Sequence, residues 1–600
     1  MHPILPLRPV PLTISILLFA VMAARTPSRL LAADGNFDGP AELPRIFMNT
    51  SMRDTPAPGK VIHVKAGDDA SEAVEKASCG DTVELQAGAT FNRLILPAKK
   101  CDDSHWIIIR TSAADSKLPP EGARLEPCYA GVTSLPGRPA FHCSSSENVL
   151  AKIEFDGKGG SGPVMIRAGA NHYRLIGLEV TRAVSPALIY NLIGPEKDPA
   201  DHLIFDRMWI HGTAQNETVR GVMLSHIRYG AVIDSYFSDF HCVAKSGGCV
   251  DSQAIAGGSG DDPMGPFKIV NNFLEAAAES IELGGSAATT TPTDIEIRRN
   301  YMFKPMIWMT GQPGFVGGLD GNPFIVKNLF EIKNAVRVLF EGNVLENTWG
   351  GFSQAGFAIL LTPKNQAIRE NNVCPACRVT DVTIRYCTVS HVGGGFQLGN
   401  GLSGNRGAAK DGGRYSIHDV IIDDIQPELL SGRGLFAQIS TAAGDTEAPA
   451  LHDVSIDHVT AFAPRVLLNL GGPASGTKMS NLSITNSIFH GAQKLVTTTG
   501  AGGRKNCSAG PVSRSLALAL QSCFSSYKFQ NNVIIGGGEG VPKDTATPGK
   551  LADVGFVNPR DGNRGEYRLA ATSKFKRKGS DGKDAGADVD AIERATAGVR

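Results

Sequence analysis

No charge of one sign dominates this chain: Lys+Arg 59 stand against Asp+Glu 59 over 600 residues, for a net charge of zero. Bulk attraction to nucleic acid or to an anionic membrane is therefore excluded, and a charged ligand would have to be met by a local patch. Aromatic residues are scarce at 7%, so the core must be thin and aliphatic. After the N-terminal region no apolar run is long enough to cross a bilayer as a helix. Phosphate loops, nucleotide fingerprints, serine elbows and basic nucleic-acid stripes are all missing. His226 and His458 have no His or Cys at metal-ligand spacing, and His211, His391 and His490 recur in turns as loop-capping hydrogen bonders.

The N-terminus does carry one apolar run. Arg8 precedes Val10–Ala24, and small residues end in Ala32-Ala33, the layout of a secretory signal peptide. Residues 1–33 are expected to be such a signal, with an uncleaved anchor as the alternative. The protein is then secreted, extracellular or periplasmic, with no membrane contact once the signal is cleaved. Ten of the eleven cysteines fall into sequence-near couples, Cys79 with Cys101, Cys128 with Cys143, Cys242 with Cys249, Cys374 with Cys377 and Cys507 with Cys523. Each couple could close a local loop in an oxidising compartment, against the alternative of free buried thiols.

A short phrase recurs: "FKIVNNFLEA" at 267–276, "IEIRRNYMFK" at 295–304, "VLFEGNVLEN" at 338–347, "VTIRYCTVSH" at 382–391 and further copies from 203 to 536. Each copy is a hydrophobic alternation, a polar turn usually holding Asn, and a second β-prone run. Neighbouring copies mostly start 28 to about 45 residues apart, too close for separate domains. A degenerate all-β repeat at this period predicts a solenoid, an all-β parallel β-helix of about ten to twelve coils. Cys387 occupies the turn position held elsewhere by Asn272, Asn300 and Asn343, and reads as a buried stacking residue. Around the array the reading places a leader arm at 34–59, an N-terminal helical cap and first coil at 60–115, the β-helix at 116–550 and a polar C-terminal cap at 551–600. Asp581, Asp584, Asp588 and Asp590 do not match an EF-hand and read as turn residues of that cap.

With the repeat shape, the Asn turns, the "GDTVELQAG" opening and the "GEYRLA…DGKDAGAD" ending in hand, the chain resembles the right-handed parallel β-helix proteins of the pectate-lyase-like superfamily (the pectin lyase fold), including bacterial secreted members of undefined substrate. The resemblance covers roughly 60–570 and implies an extended polysaccharide as partner. The Gly-His-Gly and Arg-Ile-Lys tripeptides of the pectin hydrolases of this fold are missing, as is the pectate-lyase Arg-x-Pro-x-x-Arg. Alginate and chondroitin lyases of this fold place acidic cation ligands on one rung and a Lys base shortly after. Here "ESIELGG" offers the acidic pair, but the nearest Lys on the sheet is Lys333, one rung later.

A second strand set lies between the copies, including "DSQAIAGG", "ESIELGGS", "KNLFEIKN" and "GFAILLTP". If Ile255, Leu283 and Ile332 face inward, Glu282 and Glu331 face outward on rungs ~4.8 Å apart, with Lys333 on the same face. Asp251, Glu279 and Asn328 are expected to line a neighbouring column. Crowded carboxylates with an amide oxygen suit a hard cation, so Glu282, Glu279, Asp251 and Asn328 are candidate ligands for Ca²⁺. Lys333 is the candidate base, with Arg299 and Glu331 as its catalytic partners. Arg298, Lys304 and Lys327 add positive charge for substrate, and Trp308 and Trp349 are candidate sugar-stacking walls. The bland alternative is a solvated ion-pair ladder. The favoured function is β-elimination of an acidic (uronate) polysaccharide by a monomer; the alternatives are a non-catalytic glycan-binding or surface-spacer solenoid, and a glycoside hydrolase with unfamiliar carboxylates.

Overall fold

The repeating turn is the most demanding part of each coil. One residue at each turn is held in the left-handed region, as at Asp234 (φ 53°), Asn271 (60°), Arg299 (55°), Asp419 (50°) and Asn531 (54°). Asn and Asp tolerate that conformation better than most residues, which explains the polar turns of the repeat. The following residue drops its side chain into the interior. Asn272 Nδ2 donates to Asn300 Oδ1 at 3.0 Å, and Asn300 Nδ2 to Asn343 Oδ1 at 3.1 Å. Each amide also donates to a backbone carbonyl, Asn300 to Ile269 and Asn343 to Ile297. Cys387 takes the next rung of this column as a buried free thiol, and burial pushes its pKa up to about 12.

In a computed structural model of the protein, residues 36–600 are described, except 144, 156–159, 161, 197–198, 353, 366–372, 401–408, 442–448, 474–476 and 499–505. The proposed signal segment lies outside the described residues. The turns join strands into an all-β parallel β-helix. Among the described residues one sheet has 12 parallel strands and a second has 25, built from the strand runs on either side of the polar turn. Its register is regular: Phe267↔Ile295↔Val338↔Val382 in one run and Phe273↔Tyr301↔Val344 in the other. The described residues include coils beyond the recurring phrase, among them Asn171–Arg182 and Asp411–Ile425, the latter with its turn position filled by Val420. The interior is aliphatic along its length, with Leu175, Ile269, Ile297, Ile384 and Ile456 all fully buried.

Five disulfides join the five sequence-near cysteine couples. The helix Ala70–Lys76 is N-capped by Asp69 and sets Val74 into the core beside Val83 and Leu85. At the other end the helix Leu516–Cys523 buries Leu516, Ala519 and Leu520 in the same core, held by the Cys507–Cys523 bridge.

The last fifty residues do not lie across the final coil, as the cap reading expected. They fold back along the outer flank of the 25-stranded sheet. Gly586 N donates to Asn486 O, Asp588 N to Asp419 Oδ1, and Arg600 Nε to Glu346 Oε1, so the tail climbs from late coils to the middle of the array. The N-terminal arm runs along the sheet in a similar way, from Asp38 on Ser416 through Arg45 on Asp294 to Met48 on Lys268. Two straps therefore grip the solenoid from outside.

Candidate functional site

On the 12-stranded sheet the strands Gln253–Gly257, Glu279–Leu283, Phe330–Ile332 and Phe357–Leu361 are consecutive rungs. Ile281, Leu283, Phe330 and Ile332 face the core. Alternation then turns Glu282 and Glu331 outward, and they are direct register partners. Lys333 resolves the repulsion between them. Its Nζ lies 3.0 Å from Glu331 Oε1 and is also paired with Glu282 Oε1.

The second column differs in detail from the expectation. Glu279 pairs in register with Gln253 instead of Asp251. Gln253 Nε2 ties the two columns together, donating to Glu279 Oε2 at 3.0 Å and Glu282 Oε2 at 2.9 Å. Asp251 reaches the same place from the segment before the strand. Lys327 Nζ lies 3.0 Å from Asp251 Oδ1 and 3.8 Å from Glu279 Oε1. Asn328 Nδ2 donates to Glu331 Oε2 at 3.0 Å. All four expected ligands and both lysines, Lys327 and Lys333, therefore belong to one cluster.

The cluster is open at one side only. The Asp251 side chain keeps 29% of its exposure, Lys327 13% and Lys333 8%, and Glu279 has none. Asp251 is thus at the mouth and Glu279 on the floor. Lys364, half-buried just beyond Leu361, is tied to the same rung by its backbone N–H, which donates to Lys333 O. Lying after the strand, it has no place in the alternating pattern of "GFAILLTP". Gln253 was also passed over, because an amide between two acids carries no charge signal.

Protonation differs sharply among these groups. Burial, then the charges of Asp251 and Glu282, push the Glu279 carboxyl well above its ordinary value. Burial pushes the Asp251 carboxyl up too, but the hydrogen bond from Glu279 and the charge of Lys327 outweigh it and hold Asp251 low. The two carboxyls are thus driven in opposite directions, Glu279 toward its neutral form and Asp251 toward its charged form. Burial would lower the Lys333 ammonium, yet Glu282 and Glu331 override it and hold Lys333 well above its ordinary value. Lys364 moves the other way: burial, then the charge of Lys333, lower it.

Five expected site residues are elsewhere. Lys304 points inside the coil, where its Nζ donates to the carbonyls of Ala276 (2.9 Å), Ala278 (3.1 Å) and Asn328 (2.8 Å). Burial lowers its pKa to about 7. It braces the floor of the cluster from below and cannot meet substrate. Arg299 occupies a turn of the other sheet and donates to the carbonyls of Ala595 and Ala597 in the tail. Arg298 pairs with Glu296 and Glu341 on that same sheet. Trp308 and Trp349 are buried in a satellite core with Phe324, Val326 and Leu430, because so much apolar area is better kept from water than offered to a sugar. Arg138 further covers the Trp308 ring, at 5.4 Å from its centroid.

For Ca²⁺ the donor chemistry is suitable and the charge balance is contested. Asp251, Glu279 and Glu282 each offer an oxygen, all within 4.8 Å of one another. Oxygens of Gln253, Glu279 and Asn328 are buried without a hydrogen-bond partner. However, Lys327 and Lys333 already neutralise Asp251 and Glu282, so the ion would compete with two ammonium groups.

No family model and no curated protein matches this chain. Among solved structures, it is similar to the catalytic domain of a GH87 alpha-1,3-glucanase in complex with nigerose, at 12% identity and TM-score 0.45, over 81% of this chain and 70% of that one. It is also similar to the pectate lyase Pel9A, at 11% identity and TM-score 0.32, over 89% and 97% of the two chains. A polygalacturonase from Erwinia carotovora ssp. carotovora aligns at 10% identity and TM-score 0.35, over 76% and 96%. Likeness at this level concerns the fold, and the reading of the site rests on its own geometry.

Proposed function

We propose that this chain is a secreted β-helix protein that acts on an extended acidic polysaccharide at the Asp251–Lys364 cluster, by β-elimination. The observation that carries the reading is the opposed electrostatics of the cluster mouth. An ammonium group of lowered pKa (Lys364) feels the charges of Lys333, Glu331 and Lys327, in a cluster whose Asp251 and Glu279 carboxyls are driven apart. Each element of a uronate lyase is supplied. Lys327 and Lys333 attract the substrate carboxylate. Lys364, whose pKa is lowered, is the base for the C5 proton, replacing Lys333 in that role because Lys333 is held well above its ordinary value. As the C4–O bond breaks, Asp251 passes the proton drawn from Glu279 to the leaving oxygen, and a C4=C5 double bond remains.

The stiff rod, with the cluster reached past Asp251 on the outer side of a long sheet, suits an extended polymer. The five disulfides suit an oxidising compartment. If Ca²⁺ takes part, Asp251, Glu279 and Glu282 would hold it and it would supply further neutralisation of the substrate carboxylate.

A second reading is favoured by one observation, the unequal Asp251/Glu279 pair. Neighbouring carboxyls driven apart in pKa are the acid and base of a glycoside hydrolase. The test is a panel of uronate polymers followed for absorbance of the unsaturated product, with and without Ca²⁺. Lys364→Ala should lower the elimination rate by about 10²–10⁴-fold. New reducing ends without absorbance would move the assignment to hydrolysis, and binding without either product would leave a glycan-binding solenoid.

A further inference from the structure

On the 25-stranded sheet, far from the acidic cluster in kind, two imidazoles meet one carboxylate. Asn171↔Asp201 and Tyr173↔Leu203 are register partners, so His172 and His202 fall on matching positions of neighbouring rungs. Both backbones are left-handed there (φ 53° and 51°), which turns the two side chains the same way. The rings stack at 4.4 Å with 8° between their planes. Tyr229 stacks on His202 at 4.3 Å, and the edge of Trp106 closes on His172 at 4.9 Å. Asp103 reaches over them from the loop that the Cys79–Cys101 bridge anchors. Its Oδ1 lies 3.2 Å from His172 Nε2 and 4.0 Å from His202 Nε2.

We propose that His172, His202 and Asp103 form a site for one borderline divalent cation of the Zn²⁺ or Cu²⁺ class, which staples the first-coil loop to two later coils. The proposal is independent of the function assigned to the acidic cluster. One ligand atom from each residue lies within 4.8 Å of the others. Metal–ligand bonds of ~2.0–2.2 Å put the ligand atoms of a tetrahedral ion roughly 3.4 Å apart. The 3.2 and 4.0 Å separations bracket that value, so side-chain rotation is enough and the backbone need not move. Coordination would tilt the two rings out of their parallel stack.

Two further features suit a metal better than a simple aromatic stack. His202 Nδ1 is paired with Asp201 Oδ1. A carboxylate on one imidazole nitrogen fixes the tautomer and leaves the other nitrogen to bind a metal. Exposure is also graded: the side chain of His172 keeps 9%, His202 25% and Asp103 85%. Two ligands are thus held in a rigid wall and the third is free to close over an incoming ion. Two imidazoles and one carboxylate favour Zn²⁺, Cu²⁺ or Ni²⁺ over Ca²⁺, and the remaining positions fall to water.

The experiment titrates ZnCl₂ into the full-length protein by calorimetry, beside His202→Ala, Asp103→Asn and, as control, Glu282→Gln. Far-UV circular dichroism confirms folding, and the exposed Asp103 makes its variant safe even if the histidine variant unfolds. One ion per chain is expected, weakened at least about tenfold by His202→Ala and by Asp103→Asn and unchanged by Glu282→Gln. With Cu²⁺, the electron paramagnetic resonance spectrum should show two imidazole nitrogens. The proposal is overturned if millimolar Zn²⁺ fails to bind saturably, or if binding survives in Asp103→Asn and His202→Ala. It also fails if binding is lost in Glu282→Gln while persisting in those two variants, which would place the ion in the acidic cluster.

Discussion

Arg138 shows how much a single side chain can hold. It enters from a surface loop and meets Glu275 Oε1 at 2.7 Å and Asp239 Oδ1 at 2.6 Å, with all three side chains nearly sealed from water. Burial works against its charge, but the two carboxylates outweigh that and hold Arg138 firmly protonated. Removing the cation leaves two buried carboxylates without compensation. Arg138→Ala should therefore cost ~3–5 kcal/mol in urea unfolding; a loss near that of an ordinary surface ion pair would mean that water reaches the triad. The acidic cluster was legible at this scale because alternation alone turns Glu282 and Glu331 to one face. Lys304 and the two tryptophans were not. Tryptophan suits both a sugar-binding surface and a satellite core, and only the packing of the 305–327 loop decides between them, while Lys304 is turned inward onto three backbone carbonyls. Lys364 escaped because it lies after the strand, where alternation carries no information.

The strand–turn–strand unit was the most readable element, since its Asn recurs at the one place where a coil must bury a polar turn. Asn300 bonds to both neighbours in the column, its Nδ2 to Asn343 and its Oδ1 to Asn272. Asn300→Ala should orphan buried groups on two rungs at roughly 1–3 kcal/mol each, read as a lower melting temperature with the fold retained. The N-terminal arm has a different dependence. Asp38 accepts from Arg385 at 2.7 Å and faces His418 Nε2 at 3.1 Å. Burial opposes the His418 charge, yet hydrogen bonds to Asp38 and Asp419 raise its pKa from 6.5 to about 9. Asp38 itself is lowered from 3.8 to about 2, with burial outweighed by its bonds to His418 and by Arg385. A raised histidine contributes fully below its unfolded value and loses that contribution as pH rises through about 9. A lowered aspartate contributes above its unfolded value and loses that contribution as pH falls through about 2. Protection factors against hydrogen exchange in residues 37–42 should thus be highest in mildly acidic solution and fall above about pH 9. Flat protection into strong alkali would show that the arm is held elsewhere.

At the scale of the whole molecule, the solenoid could be read from its period, whereas the straps could not. A coil touches its neighbours at a fixed spacing, but Asp38 meets Ser416 across 378 residues and Arg299 meets Ala597 across 298, with no local pattern to announce either contact. The tail is amphipathic and sets Phe575, Val589 and Ile592 against Ile421, Phe462 and Ile488, and Val599 against Val344. Burying one such side chain is worth ~1.5–3 kcal/mol before the entropy of ordering the strap is subtracted. The four aspartates of the tail's Gly-rich stretch all have protein partners: Asp581 meets His458, Asp584 meets Lys576, Asp590 meets Arg568, and Asp588 caps the helix Val589–Thr596. Such groups satisfy one another without a cation. Truncation after Leu569 should therefore lower the melting temperature and increase binding of a hydrophobic dye. The loss arises on the flank of the middle and late coils, with the final coil still closed by the helix Leu516–Cys523. Because protein groups already satisfy these aspartates, chelation should leave the difference in melting temperature between full-length and truncated protein unchanged; a drop on chelation that is absent from the truncated protein would make the tail a Ca²⁺ loop after all.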